Sequence, residues 1–183
     1  MSHFPKTALS LIGCLLATLS LIAAENPAAQ SGLSMTTTES YQIRNHKFGD
    51  LLRPEGANGA DGTSIVLYSA EPWKCMTWKL HPAGGTGFHV QNHFTGKTFV
   101  VNATPGGTNV IQVKLVRVQE EQPVWVFEKL PDGFYKIRAA KSGGVLTAIE
   151  TVGQSVHIVM APWQDRDEQK WQLEKIDPAT LTM

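Results

Sequence analysis

Hydrophobic and polar residues alternate along most of the chain after residue 40. In the segment 156–160 the even-numbered residues are apolar and form one predicted face. In the segment 111–115 the odd-numbered residues, including Ile111 and Val113, are predicted to face the core and Gln112 the solvent. A period of two residues is typical of half-buried β-strands. Since no segment after the first 24 residues has a sustained helical period, we expect an all-β protein with almost no helix.

The alternation recurs at a fixed interval. Trp78, Trp125 and Trp171 stand 47 and 46 residues apart. A step of 47 residues separates Gly49, Gly96 and Gly143, and also Leu52, Phe99 and Leu146. Three units of roughly 46 residues, with about four short strands in each, predict closed packing with pseudo-threefold symmetry, which is a β-trefoil. A three-bladed propeller is the alternative, but propellers usually have four or more blades. The predicted domain covers residues 41–177, with repeats over 41–87, 88–134 and 135–177.

The first 24 residues have the composition of a secretory signal peptide. Lys6 is followed by an apolar stretch that ends in small residues at Ala24, and this stretch is short for a transmembrane helix. We expect cleavage after Ala24, a secreted or periplasmic location, and no membrane insertion afterwards. The alternative is a lipoprotein anchored through Cys14, because Leu-Ile-Gly-Cys resembles a lipobox. Residues 25–40 are small and polar, so they are predicted to be a flexible leader.

Composition and charge exclude several classes of partner and site. Sixteen basic and sixteen acidic residues give no net charge, which argues against nucleic-acid and polybasic membrane-surface binding. Two cysteines cannot build a multi-bridge scaffold or a four-cysteine zinc site. His89 and His93 have the spacing of a helical zinc motif, but they lie in a predicted strand. We therefore expect no catalytic residue, no metal and no cofactor.

The ends of the three units resemble a known family. The third unit ends in Gln169-Lys170-Trp171, and the tryptophan is kept in the other two. This pattern resembles the Gln-x-Trp repeat of ricin B-type β-trefoil lectins. The resemblance implies carbohydrate binding without catalysis, in shallow pockets that use an Asp, an aromatic side chain and polar groups. The family's Asp position falls on Arg53, Val100 and Thr147. All three carboxylates are missing.

Candidate carbohydrate-binding residues lie in the first and third units. In the first, Arg53 takes the Asp position, Tyr68 takes the aromatic position, and Trp73 follows the strand. Arg53 would bind an anionic sugar or carboxylate, or else be solvated or pair with Glu55. In the third unit the candidates are Thr147, Glu150, His157, Trp163 and Gln169. Trp73 and Trp163 would either stack on a sugar or cover a repeat boundary.

The resemblance implies an exported lectin-like module whose partners are glycans or glycoconjugates. The alternative comes from a different class: a trefoil that has lost sugar binding and recognises a protein partner, as protease-inhibiting trefoils do. The three missing carboxylates favour the alternative. The two turn tryptophans favour the lectin.

Overall fold

The computed structural model describes Met1 and residues 32–33, 35–105, 107–115, 122–153 and 155–182. Its strands are β1 Glu39–Asn45, β2 Leu51–Pro54, β3 Ile65–Tyr68, β4 Thr77–Pro82, β5 Gly87–Asn92, β6 Thr98–Thr104, β7 Gly107–Val113, β8 Trp125–Lys129, β9 Tyr135–Ala139, β10 Val145–Ile149, β11 His157–Ala161 and β12 Trp171–Lys175. Helix in this part of the chain is limited to single 3-10 turns, and none is long and apolar enough to cross a membrane. The all-β prediction is confirmed. The predicted signal peptide, apart from Met1, lies outside the described residues together with Cys14 and the start of the leader.

Six strands close into a ring of antiparallel pairs. The ring runs β1–β4–β5–β8–β9–β12 and returns to β1, so none of these strands leaves an unpaired edge. The other strands form the hairpins β2–β3, β6–β7 and β10–β11, and these pair with one another through β11. Each unit places its first and fourth strands in the ring and its second and third in a hairpin. This is the predicted β-trefoil.

A buried tryptophan joins ring and hairpin in every unit. Trp78, Trp125 and Trp171 lie at the start of the fourth strands and are 0% exposed. Each indole N–H donates to a backbone carbonyl of the hairpin in its own unit. The Nε1–O distances are 2.9 Å to Leu52, 3.3 Å to Phe99 and 3.1 Å to Leu146. Because a buried indole needs an acceptor, these bonds fix where each hairpin sits on the ring.

The inward face of β7 is not the predicted one. Val110 lies in the core, whereas Ile111 and Val113 are only half-buried. Gln112, predicted to face solvent, is fully buried. Its amide donates to two carbonyls of the β2–β3 loop and accepts from the Thr95 hydroxyl. The prediction was wrong because a polar side chain whose hydrogen bonds are satisfied can occupy a buried position.

The end of the predicted leader contacts the domain. Gly32 pairs with Glu128 of β8, and the backbone N–H of Leu33 donates to the Phe127 carbonyl at 3.1 Å. Leu33 and Met35 pack against the core. This part of the leader therefore differs from the expected flexible spacer, because its apolar side chains gain free energy by burial.

Glu168 joins two loops beside the last ring strand. Its carboxylate pairs with Lys47 at 2.7 Å and with Arg166 at 3.0 Å. Its backbone carbonyl accepts a hydrogen bond from the Asn45 side chain at 3.0 Å. Hydrogen bonds from Arg166 and then Lys47 lower the pKa of Glu168 to about 2.

Replacement of Trp171 by Phe is expected to lower the free energy of unfolding. The variant keeps an aromatic ring but leaves the Leu146 carbonyl without its indole donor, which costs about 1–3 kcal/mol, and the smaller ring adds a cavity. Urea unfolding measures the change. The control is Trp163→Phe, at a half-buried position, with an expected change below about 0.5 kcal/mol. Equal effects of the two substitutions would contradict the role of the indole hydrogen bond.

Glu168 is expected to make stability depend on pH in the acid range. Because its folded-state pKa is lowered, its ion pairs contribute stability above pH 4.5 that is lost as the pH falls toward 2. Glu168→Gln should flatten the fall of the urea midpoint in this range. Glu150→Gln, at an exposed position without an ion pair among the described residues, should retain the wild-type slope. An unchanged slope in Glu168→Gln would refute the assignment.

Candidate functional site

A pocket of about 330 Å³ lies between the β2–β3 hairpin and the turn that follows β5. Arg53, Tyr68 and Trp73 line it from the first unit, and Phe94 lines it from the second. The lining is completed by Gly56, Ala57 and Cys75. The structure thus brings together all the candidate residues of the first unit. The volume falls in the range of small-ligand sites, roughly 300–1,000 Å³.

Arg53 and Tyr68 meet because of the register between β2 and β3. Arg53 lies opposite Val66, and Leu51 lies opposite Tyr68, so the two pocket residues are diagonal neighbours. Long and aromatic side chains reach each other across such a diagonal. The Arg53 Cζ atom lies 3.6 Å from the centroid of the Tyr68 ring, a cation–π contact. One face of Tyr68 is therefore covered by the guanidinium and is closed to a sugar ring.

The Arg53 guanidinium has no carboxylate partner among the described residues. Its Nε atom is buried and has no hydrogen-bond partner, and the alternative pairing with Glu55 does not form. Burial raises the pKa of the neighbouring Cys75 thiol, an effect that Arg53 opposes. Burial thus favours the neutral thiol, which supplies no counter-charge. Arg53 places an unneutralised positive charge at the pocket wall.

Trp73 is held by the segment that follows β12. Thr182 pairs with Trp73 in parallel, since its N–H donates to the Pro72 carbonyl at 2.8 Å and its carbonyl accepts from the Lys74 N–H at 3.0 Å. The Trp73 ring is half-buried, with its centroid 6.1 Å from that of Tyr68 and an angle of 29° between the planes. Backbone hydrogen bonds on both sides of Trp73 thus orient its side chain at the pocket.

Phe94 is a pocket residue that is absent from the sequence-based candidates. Its side chain is 53% exposed. The buried Asn92 positions it, because Oδ1 accepts from the N–H groups of Phe94 at 3.0 Å and Thr95 at 3.1 Å, while Nδ2 donates to the Cys75 carbonyl at 2.9 Å. One side chain therefore fastens two walls of the pocket. The recurrence of Asn45 and Asn92 at the repeat interval is the sequence signal for this turn.

The rim beside Arg53 contains two consecutive residues with left-handed backbone. Gly56 has φ of 59°, and Ala57 has φ of 53°. The left-handed conformation costs a residue with a Cβ atom about 1–2 kcal/mol, so the surrounding structure must hold Ala57 in place. The resulting tight turn shapes the pocket rim next to the guanidinium.

Two candidates of the third unit are satisfied by the protein itself. Thr147 is buried; its hydroxyl donates to the Val145 carbonyl and accepts from Gln169 Nε2, each at 3.1 Å. Gln169 also donates to the Pro162 carbonyl and accepts from the Gln164 N–H, each at 2.8 Å. These side chains stabilise the β10 hairpin and the turn before β12, which leaves them little capacity for a ligand.

The remaining candidates of the third unit do not converge on a cavity. Glu150 is exposed, His157 and Trp163 are half-buried, and the Lys136 Nζ atom lies 5.3 Å from the Trp163 ring centroid. None of these residues lines any of four cavities of about 230–330 Å³ that lie among the described residues. In the same part of the chain, no three His, Cys, Asp or Glu side chains are grouped to hold a metal ion.

Comparison with known proteins supports the fold at low sequence identity. No protein-family model and no curated protein matches the chain. The designed threefold-symmetric protein ThreeFoil has a TM-score of 0.67 and 26% identity, and the match covers 75% of this chain and 99% of that one. A ricin B-like lectin from Macrolepiota procera, solved with lactose, has a TM-score of 0.61 and 18% identity, with 79% and 100% covered. An exo-β-1,3-galactanase from Clostridium thermocellum has a TM-score of 0.67 and 21% identity, with 78% of this chain but 31% of that one covered.

These likenesses confirm the β-trefoil. The sequence resemblance to ricin B-like lectins is thus accompanied by a similarity in fold. The match covers less than a third of the galactanase. The similarity is therefore to one part of that enzyme, and it assigns no activity to this chain.

Proposed function

We propose that this chain is a carbohydrate-binding module without catalytic activity, and that its sugar site is the pocket of Arg53, Tyr68, Trp73 and Phe94. The observation that carries the proposal is the convergence of three aromatic residues and one cation in a single cavity. The cavity includes the position where the family resembled by this sequence places its sugar ligand. The likeness in fold to a lectin solved with lactose supports a saccharide as the ligand.

The pocket offers the two kinds of contact that sugars need. Trp73 and Phe94 supply aromatic surface for the apolar C–H patch of a sugar ring, since Arg53 covers one face of Tyr68. The guanidinium N–H groups donate to oxygen atoms of the ligand. Among the described residues that line the pocket there is no Asp or Glu, and glycoside hydrolysis usually needs a pair of carboxyl groups. Binding without chemistry is therefore the function that this geometry supports.

Protein recognition is the second candidate. It is favoured by the residues at the three Asp positions of the family, namely Arg53, Val100 and Thr147. In this alternative the aromatic pocket accepts a side chain of a protein partner, and no free sugar binds.

Export of the chain is a further part of the proposal and is supported by the sequence of the first 24 residues. The apolar stretch and the small residues at Ala24 favour cleavage there, and Cys14 offers the lipoprotein alternative.

Substitution of either pocket aromatic is expected to weaken sugar binding. Trp73→Ala and Phe94→Ala each remove a stacking surface worth roughly 1–2 kcal/mol, so the dissociation constant should rise about tenfold. The measurement is a glycan array followed by calorimetry with the best ligand. Trp163→Ala is the matched control, because it removes a half-buried tryptophan outside the pocket and should leave affinity unchanged.

Two results would reject the first candidate. Loss of binding in Trp163→Ala but not in Trp73→Ala would move the site to the third unit. A glycan array without signal at high protein concentration, together with a purified protein partner that Trp73→Ala no longer binds, would establish the second candidate instead.

Expression with the intact N-terminus in a bacterial secretion host is expected to give a processed protein that begins at Glu25. N-terminal sequencing and intact mass provide the measurement. A chain that begins at an acylated Cys14 would establish the lipoprotein alternative, and a full-length chain retained in the cytoplasm would contradict export.

A further inference from the structure

We infer that the pocket selects an anionic saccharide, in which a carboxylate or sulfate group pairs with Arg53 while the sugar ring packs on the aromatic walls. This inference rests on the proposed function and names its ligand class. It depends on the chemistry of Arg53, which stands where the resembled family has an acidic residue.

Arg53 lacks the acidic partner that each of the other described arginines has. Arg44, Arg138 and Arg166 each pair with a glutamate at 2.5–3.0 Å, and they are the other arginines among the described residues. Arg53 makes no such pair, and its buried Nε atom has no acceptor. A half-buried cation without a counter-ion has lost part of its hydration, so an anionic ligand that pairs with its terminal N–H groups gains more there than at an exposed arginine.

The orientation of the guanidinium suits an oxyanion. The Arg53 Cζ atom lies 3.6 Å from the centroid of the Tyr68 ring, so one side of the guanidinium is covered, while its terminal N–H groups, which are not among the buried unpaired atoms, can donate to a ligand. Such N–H groups match the two oxygens of a carboxylate or sulfate with paired N–H···O bonds. Tyr68 therefore acts as a positioning residue for Arg53. The acidic group that the resembled family has on the protein is supplied here by the ligand.

Two basic residues lie near the turn that contains Phe94. Lys74 follows Trp73 in the chain, and Lys79 lies on β4; neither makes an ion pair with another described residue. Burial, and then the positive charges of Lys79 and Lys74, lower the pKa of His93, which is the residue before Phe94. Two unpaired lysines thus add positive potential near the Phe94 side of the pocket.

Matched glycosides that differ in charge test the inference. Calorimetry compares methyl β-glucuronide, methyl β-glucoside and methyl β-glucoside 6-sulfate, and the corresponding galacto series guards against a wrong ring stereochemistry. We expect the wild-type protein to bind an acidic member at least about tenfold more tightly than its neutral counterpart, with a preference that shrinks as salt is added. The acidic glycoside that binds more tightly shows whether the pocket prefers a carboxylate or a sulfate.

Variants at Arg53 test whether this side chain causes the preference for acidic glycosides. Arg53→Gln should remove it, and Arg53→Lys, which keeps the charge but not the planar fork, should retain a smaller part. Arg166→Gln is the control, since Arg166 is exposed and paired with Glu168, and it should keep the full preference. If Arg53→Gln does not fold, the comparison of glycosides on the wild-type protein still decides.

Each other outcome overturns the inference in a recognisable way. Equal binding of acidic and neutral glycosides, weakened by Trp73→Ala, would refute the anionic ligand and leave the proposed sugar site standing. A preference for acidic glycosides that Arg53→Gln retains would move the anion away from this pocket. Failure of every glycoside to bind the wild-type protein would reject both this inference and the proposed function.

Discussion

The hydrogen bond from a buried indole to a hairpin carbonyl is the interaction on which the rest of this structure depends. It occurs once in each unit, at Trp78, Trp125 and Trp171. A hairpin alone could not bury its apolar face, and a ring of six short strands needs a core to close around. The indole meets both needs, because its ring fills the core while its N–H fixes a hairpin carbonyl on the same core. The loops that carry the pocket are positioned from these anchors.

The symmetry of the anchors contrasts with the asymmetry of the surface that they support. Arg53, Val100 and Thr147 occupy equivalent places on the hairpins, and Lys47, Phe94 and Lys141 occupy equivalent places in the turns after the first strands. Among the described residues, the pairing of Arg53 with Phe94 is the only one of these hairpin–turn pairings that combines a cation and an aromatic side chain in one cavity. On the third unit the corresponding turn residue, Lys47, is engaged in an ion pair with Glu168. Ligand chemistry can therefore differ between units without any change in the core.

The fold could be predicted from the sequence because the tryptophan spacing is a long-range signal that tertiary packing preserves. The site could be predicted only in part. Arg53 and Tyr68 could be predicted to lie together because they are on adjacent strands of one hairpin. Phe94 was not, since it belongs to the next unit and joins the pocket through the closure of the fold. Thr147 and Gln169 resembled ligand-binding polar groups, but they hydrogen-bond to each other, and a one-dimensional pattern does not reveal which polar groups the protein itself satisfies.

The most direct test of the proposed sugar site in the first unit is an NMR titration that follows the indole N–H signals of the five tryptophans. Three of these indoles are buried and hydrogen-bonded to backbone carbonyls, so they act as internal references, while Trp73 and Trp163 mark the first and third units. Our account predicts that a bound saccharide shifts the signal of Trp73 and leaves that of Trp163 in place. A saturable shift of Trp163 with Trp73 unmoved would contradict it.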